Sequence, residues 1–291
     1  MGNGEGTPAD LEEPMALMAA GRRHSVALRQ YGTVLATGNN RAGECSIDQW
    51  SAISSVAAGN VHAARNTGRS HTVGLRADGT VLATGWNADG QTEVADWHGI
   101  QRIAAGWRFT LGLGSDGRVV ATGRNADGQC ATGSWQEVVE IACGDWHAVA
   151  VRNDGTALAT GNNQRGQCSV ASWSGLQAIA AGQLHTVGLR TDGTVVAAGD
   201  QQSGACEVQT WNAVTALSAG SQHTVALRSD GTVLATGDNS FGQCNVGSWS
   251  QVIAIAAGSL HTLGLLADGT FVATGSNSDG QCDVAEWSVR D

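Results

Sequence analysis

The chain contains no lysine, so all sixteen of its basic residues are arginine. Against 26 acidic residues they leave a formal net charge of −10. Binding to a phosphate backbone needs a cationic surface, so no nucleic-acid partner is expected. Proline occurs only twice, at Pro8 and Pro14, which excludes collagen-like and proline-rich architectures. No apolar run reaches the roughly 18 residues of a membrane-spanning helix, and no membrane partner is expected. Charged residues make up 14% against 42% hydrophobic, too little charge for a disordered chain.

Glycine, by contrast, accounts for 41 of 291 residues, which points to many tight turns between strands. The first fourteen residues, MGNGEGTPADLEEP, form a polar, acidic tail. They lack the basic start and apolar stretch of a signal peptide. Gly6 stands where a myristoylation motif requires Ser or Thr. The seven cysteines form no C-x-x-C pair. Six of them, Cys45, Cys130, Cys168, Cys206, Cys244 and Cys282, recur at one repeated position, where a small buried packing residue is expected rather than a metal ligand. Unpaired thiols favour a reducing compartment. The location expected is therefore cytoplasmic, or secreted if a leader has been removed.

Internal repetition organises the rest. Trp97, Trp135, Trp173, Trp211, Trp249 and Trp287 are spaced by 38 residues, while Trp50 lies 47 before Trp97. His147, His185, His223 and His261 keep the same step, with Phe109 in the matching place. The extra nine residues are local, at 62–70. Seven repeats result, within a single domain expected over 15–291. Each repeat alternates short β-prone runs with Gly, Asn and Asp clusters. Asp78, Asp116, Asp154, Asp192, Asp230 and Asp268 each precede a glycine, the signal of a two-residue type I′ hairpin. The expectation is an all-β, seven-bladed β-propeller with about four antiparallel strands per blade.

The pattern G-x-x-H-[ST]-x-x-L-x-x-D-G-x-V-x-x-x-G-x-N-x-x-G-Q, seen in full from Gly220 to Gln243, resembles the repeat of the regulator of chromosome condensation family. The resemblance covers roughly residues 15 to 287 and implies a seven-bladed propeller. The short blades look closer to compact bacterial members, one of them a secreted β-lactamase inhibitor, than to the eukaryotic exchange factors. The family implies binding roles: loops that block an enzyme, or a wedge that displaces nucleotide from a small GTPase. The insertion matches no such wedge. A light-sensing role would need several Gly-Trp-Arg-His-Thr motifs, and only Gly106 to Thr110 approaches one, with Phe109 for His.

Antiparallel strands send alternate turns to opposite faces. The G-x-x-H turn and the N-x-x-G loop then share one face, and it is there that the repeats differ. Candidate partner-binding residues on it are Arg22, Arg23, Arg41, Arg65, Arg69, Trp86, Trp107, Arg108, Arg124, Asp145, Trp146, Arg165 and Phe241. Loops on a rigid frame are where binding concentrates, and Trp and Arg are favoured interface anchors. Residues 1–165 hold 13 Arg and 16 acids; residues 166–291 hold 3 Arg and 10 acids. The cationic, aromatic loops therefore belong to blades 1 to 4.

Catalytic and metal motifs are wanting. The repeated histidines ring the molecule rather than converge, so a structural hydrogen-bonding role is expected. Gly112 to Gly117 matches G-x-G-x-x-G but leads into a strand, where a dinucleotide site needs a helix. Asn87-Ala-Asp89-Gly90 lacks the first Asp and last Glu of a calcium loop. Cys143 lies near His147 but falls in a strand, as a packing residue. The reading is a protein-binding scaffold, an enzyme inhibitor or a regulatory module, with no cofactor and no catalytic residue. The alternative is a small-molecule binder or enzyme using the central opening of the variable face.

Overall fold

The computed structural model describes residues 17–59 and 69–290. The polar tail, Arg65 and residues 62–68 of the insertion lie outside the described residues. The chain forms seven three-stranded antiparallel sheets, each built from consecutive strands. They stand around a central channel as the blades of a propeller. Blade 5 is representative, with inner strand Leu176–Ala181, middle strand His185–Arg190 and outer strand Val195–Gly199. The middle strand is buried on both faces because a blade lies on either side of it. Among the described residues no helix is long and apolar enough to cross a membrane.

Two expectations are corrected. Each blade has three strands rather than four. The segment after the loop, such as Cys168 to Trp173, closes its backbone locally: Val170 N–H donates to Cys168 O (2.9 Å) and Trp173 N–H to Val170 O (2.9 Å). Such turns leave too few free groups for a ladder. The Asp-Gly hairpins are also not type I′, because only the glycine is left-handed, as at Gly193 (φ 78°). Asp192 acts instead through its carboxylate, which accepts from Thr194 N–H (2.9 Å) and Oγ1–H (2.6 Å). This is a three-residue loop ending in a left-handed glycine.

Trp50, Trp97, Trp173 and Trp249 each lie over the middle strand of the blade that follows them in the chain. A methyl group added at Gly74 would come within 2.6 Å of the Trp50 ring, and at Gly264 within 2.9 Å of Trp249. The repeated cysteines do more than pack. Cys168 Sγ–H donates to Asn162 O (3.2 Å) and its N–H to Asn163 Oδ1 (2.8 Å), which closes the N-x-x-G loop. Most of them are half-buried and all seven are free thiols.

The histidines stitch blade to blade. His24 pairs with Thr72 (2.8 Å), His71 with Thr110 (2.8 Å), His147 with Thr186 (2.9 Å), His185 with Thr224 (3.0 Å), His223 with Thr262 (3.0 Å) and His261 with Ser25 (2.9 Å). Each hydroxyl spends its only proton on a loop carbonyl, as Thr224 does on Ala205 O (2.8 Å). It can therefore only accept from the imidazole, so Nε2 carries the proton and Nδ1 is bare. The last pair closes the ring between blades 7 and 1, across 236 residues of sequence.

At the joint of blades 3 and 4 both partners are apolar, Phe109 and Ala148, each fully buried. Replacing both members of a buried pair is far cheaper than replacing one. His185→Phe alone is expected to cost about 1–3 kcal/mol. Adding Thr224→Ala copies the Phe109–Ala148 joint and should recover most of that loss. A double-mutant cycle by urea unfolding checks this, with a coupling of about 1 kcal/mol or more expected.

Seven glycines narrow one end of the channel. A Cβ at Gly182 would collide with the His185 ring and with Gly220 O, and one at Gly220 with Gly258 O. Below them the inner strands present mainly alanine, among them Ala57, Ala104, Ala142, Ala180 and Ala256, around a cavity of about 260 Å³. It widens toward the Asp-Gly face into a second space of about 450 Å³, bordered by Arg102 and Glu140.

Candidate surface for a protein partner

In blades 1, 4, 6 and 7 the first residue of the G-x-x-H turn is buried. Arg22 is 5% exposed, Asp145 0%, Ser221 2% and Ser259 1%. Arg22 and Asp145 are close enough across the ring to interact electrostatically, so they stand together where the channel opens on the variable face. Burial, then the charge of Arg23, push the Arg22 guanidinium below its usual range, while Asp279 and Asp145 act in the opposite direction.

Around that mouth, blades 2 to 4 carry a continuous arrangement of arginine on tryptophan. Two guanidiniums lie against Trp107, Arg108 at 4.7 Å and Arg124 at 5.2 Å from its ring centroid. It meets Trp146 edge to face, with centroids 5.8 Å apart at 88°. In blade 2, Arg69 covers Trp86 at 4.4 Å. Cation–π and edge-to-face contacts of this kind each contribute about 0.5–1.5 kcal/mol. Trp107 and Trp146 bridge blades 3 and 4 over the one joint that has Phe109 and Ala148 in place of a histidine clamp.

Arg108 has φ 62°, a left-handed conformation rare outside glycine. The turn holds this strain while Nη1 of Arg108 pairs with Asp89 (3.3 Å) and its guanidinium lies over Trp107. Non-glycine residues in this region cost about 1–3 kcal/mol and gather at functional sites. Arg124 is held by Asp127 (3.4 Å). The arginines are thus fixed in place before any partner arrives, which lowers the entropic cost of binding.

The remaining candidates lie apart from this cluster. Arg23 pairs with Asp279 (3.6 Å) and Arg165 with Asp200 (4.0 Å). Arg41 is exposed on the blade 1 loop, and Phe241 is 54% exposed on blade 6. Sequence reasoning missed Asp89, Asp127, Asp200 and Asp279 as the carboxylates that orient the arginines. The signal is present in Asn87-Ala-Asp89-Gly90, set above against a calcium loop, and again in Asn125-Ala-Asp127-Gly128.

The chemistry open to the other titratable groups is limited. Burial holds His71, His147, His223 and His261 down at about 3, and His24 and His185 at about 4. Burial pushes Cys45 up to about 12 and Cys168 to about 11, and Cys143 well above its ordinary value. Thiols so shifted are poor nucleophiles. Among the described residues no group of His, Cys, Asp and Glu is placed to hold a metal ion.

A model of the Regulator of chromosome condensation (RCC1) repeat matches residues 66–91, 100–129, 138–167, 177–205, 214–243 and 252–281. Similar solved structures include yeast RCC1 (Prp20) bound to Kap60. It is 15% identical, with 99% of this chain and 89% of that chain covered, at a TM-score of 0.68. Human WBSCR16 is 17% identical over 92% and 88% of the two chains, TM-score 0.68. Prp20p from Saccharomyces cerevisiae, described with its binding to Gsp1p and histones, is 18% identical over 89% and 81%, TM-score 0.61. At these identities the likeness is one of fold. Comparison with curated protein sequences finds no match.

Proposed function

This chain belongs to the regulator of chromosome condensation repeat family, and we propose that it is a non-enzymatic protein-binding scaffold that grips its partner over blades 2 to 4. The observation that carries this reading is Trp107 in contact with the guanidiniums of Arg108 and Arg124 and set edge to face against Trp146. Large aromatic and guanidinium groups, pre-ordered at the centre of a loop-bearing face, are the usual anchors of a protein interface. Propellers of this fold engage proteins: yeast RCC1 was solved with Kap60, and Prp20p is described as binding Gsp1p and histones. An enzyme inhibitor or a regulatory module fits the same face. The net charge of −10 weighs against a nucleic-acid partner, and the seven free thiols favour a reducing compartment.

The test is a pull-down from native lysate read by mass spectrometry. Wild type is compared with a Trp107→Ala, Arg108→Ala, Trp146→Ala variant whose thermal unfolding shows that it remains folded. A partner retained by wild type should bind the variant at least about a hundredfold more weakly, the scale of losing hot-spot anchors. Equal retention by both proteins would remove blades 3 and 4 from the interface.

A further inference from the structure

Six of the seven blades turn at their hairpin on an Asp-Gly pair, and five of these pairs share one clamp. Asp78, Asp154, Asp192, Asp230 and Asp268 each accept from the N–H of the threonine two residues on, at 2.9–3.0 Å, and from its hydroxyl, at 2.5–2.7 Å. Asp116 departs from this rule. Arg118 stands where the others have threonine, so the carboxylate keeps the backbone bond (3.1 Å) and loses the hydroxyl. Arg118 offers Nε at 3.8 Å instead, with the two side chains 70% and 65% exposed. An ion pair so open to solvent holds a carboxylate weakly. Gly114 adds backbone freedom on the other side, where the matching position is Arg76, Arg152, Arg190, Arg228 or Leu266 in the five clamped loops.

An aspartate that precedes glycine can convert to isoaspartate with no reagent but water. The glycine nitrogen forms a bond to the aspartate Cγ, a Cγ–O bond breaks, and the carboxyl OH leaves with the amide proton as water. A five-membered succinimide results. Water then adds back, and opening at the main-chain carbonyl leaves the chain running through the side chain, one methylene longer. The attacking nitrogen is held alike in these loops: Gly117 N–H donates to Gly114 O (3.0 Å), Gly79 N–H to Arg76 O (3.0 Å) and Gly193 N–H to Arg190 O (3.0 Å). The carboxyl is what differs. A clamped carboxylate is fixed in orientation. The threonine hydroxyl, then its N–H, also hold Asp78, Asp154, Asp192, Asp230 and Asp268 below the usual carboxylate range, and an ionised carboxylate has no OH to lose.

We propose that Asp116-Gly117 is the site at which the folded protein isomerises, and that its conversion loosens the joint between blades 3 and 4. Gly117 O accepts from Val138 N–H (3.1 Å), at the start of the inner strand of blade 4. An extra methylene beside Gly117 displaces that carbonyl. The same joint has the buried pair Phe109 and Ala148 in place of a histidine bond, and it carries Trp107 against Trp146 on the opposite face. A slow covalent change on the Asp-Gly face thus acts on the joint that no histidine clamps. The hairpin chemistry is independent of any protein partner.

The full chain, kept folded at neutral pH and body temperature and sampled over weeks by tryptic mapping, tests the site. Isoaspartate gives a second peak of unchanged mass, and trypsin places Asp116 alone in the peptide from Phe109 to Arg118. Isoaspartate should build up there about tenfold or more faster than at Asp78, Asp154, Asp192, Asp230 or Asp268, the scale of one hydrogen bond to a charged group. Arg118→Thr, which copies the other loops, should bring the rate down to theirs, and Thr156→Arg should raise that of Asp154. In urea, with every clamp gone, the six sites should isomerise at similar rates. Equal rates in the folded chain, or a lead for Asp116 that survives Arg118→Thr or persists in urea, overturns the site. Asp116→Glu cannot close the five-membered ring. Its thermal midpoint should hold over the same period, while that of wild type falls by about 2 °C or more as Asp116 converts. An unchanged midpoint in isomerised wild type overturns the loosening.

Discussion

Acidification from pH 7 to pH 5.5 is expected to remove about 8 kcal/mol of folding stability. The six buried histidines carry the effect. In the folded chain they take up a proton only near pH 3 to 4, because burial disfavours the imidazolium. Released by unfolding, each binds its proton at the ordinary value of about 6.5. Between those limits the unfolded chain holds more protons, so falling pH favours unfolding. The stability is fully present above about pH 6.5 and drains as pH falls below it. Each histidine adds a slope approaching 1.36 kcal/mol per pH unit, so six together approach about 8 kcal/mol per unit. Urea midpoints measured from pH 8 to pH 5 should be flat at first and fall steeply below about pH 6.5. A midpoint constant to pH 5 would mean that the imidazoles accept protons without leaving their sites. Phe109→His with Ala148→Thr, which completes the ring, should make the fall steeper.

The second large effect concerns the channel. Gly182→Ala is expected to cost about 3 kcal/mol or more, the scale of overpacking where nothing can yield. The added methyl would collide with the His185 ring on its own blade and with Gly220 O on the next. Moving His185 would break its bond to Thr224 (3.0 Å), and Gly220 O belongs to the backbone of the constriction. Gly247→Ala is the control, since nothing lies within 4 Å of the position its methyl would take. Its thermal midpoint should match wild type, while Gly182→Ala should melt at least about 5 °C lower or fail to fold. Equal midpoints for the two variants would show that adjacent blades can slide apart at the axis, against a rigid ring.

Much of this architecture was legible in the sequence because its causes are local. A 38-residue period with Gly, Asn and Asp at fixed offsets specifies where strands stop, and alternation of turns specifies which loops share a face. Trp107 and Trp146 stood out because they broke a repeat that was otherwise regular. The hairpin type was less legible: Asp192-Gly193 reads as type I′ until the Asp carboxylate is seen to accept from Thr194. A fourth strand was likewise plausible from composition, until the turns around Val170 used up the backbone groups that a ladder would need.

The sequence by itself determined the repeat count, the all-β propeller and the face on which variation gathers, since each follows from spacing within one repeat. Only the tertiary structure decided what happens between repeats. Closing the ring brings Ser25 to His261, sets Trp146 against the Trp107 of the preceding blade, and buries Arg22 and Asp145 near each other. It also separates the tryptophan cluster of blades 3 and 4 from the arginine pair at blades 7 and 1, which the linear sequence presents as one set of candidates. The physical reason is that hydrogen bonds, ring contacts and desolvation act over a few ångströms of space, and in a closed ring that distance is unrelated to distance along the chain.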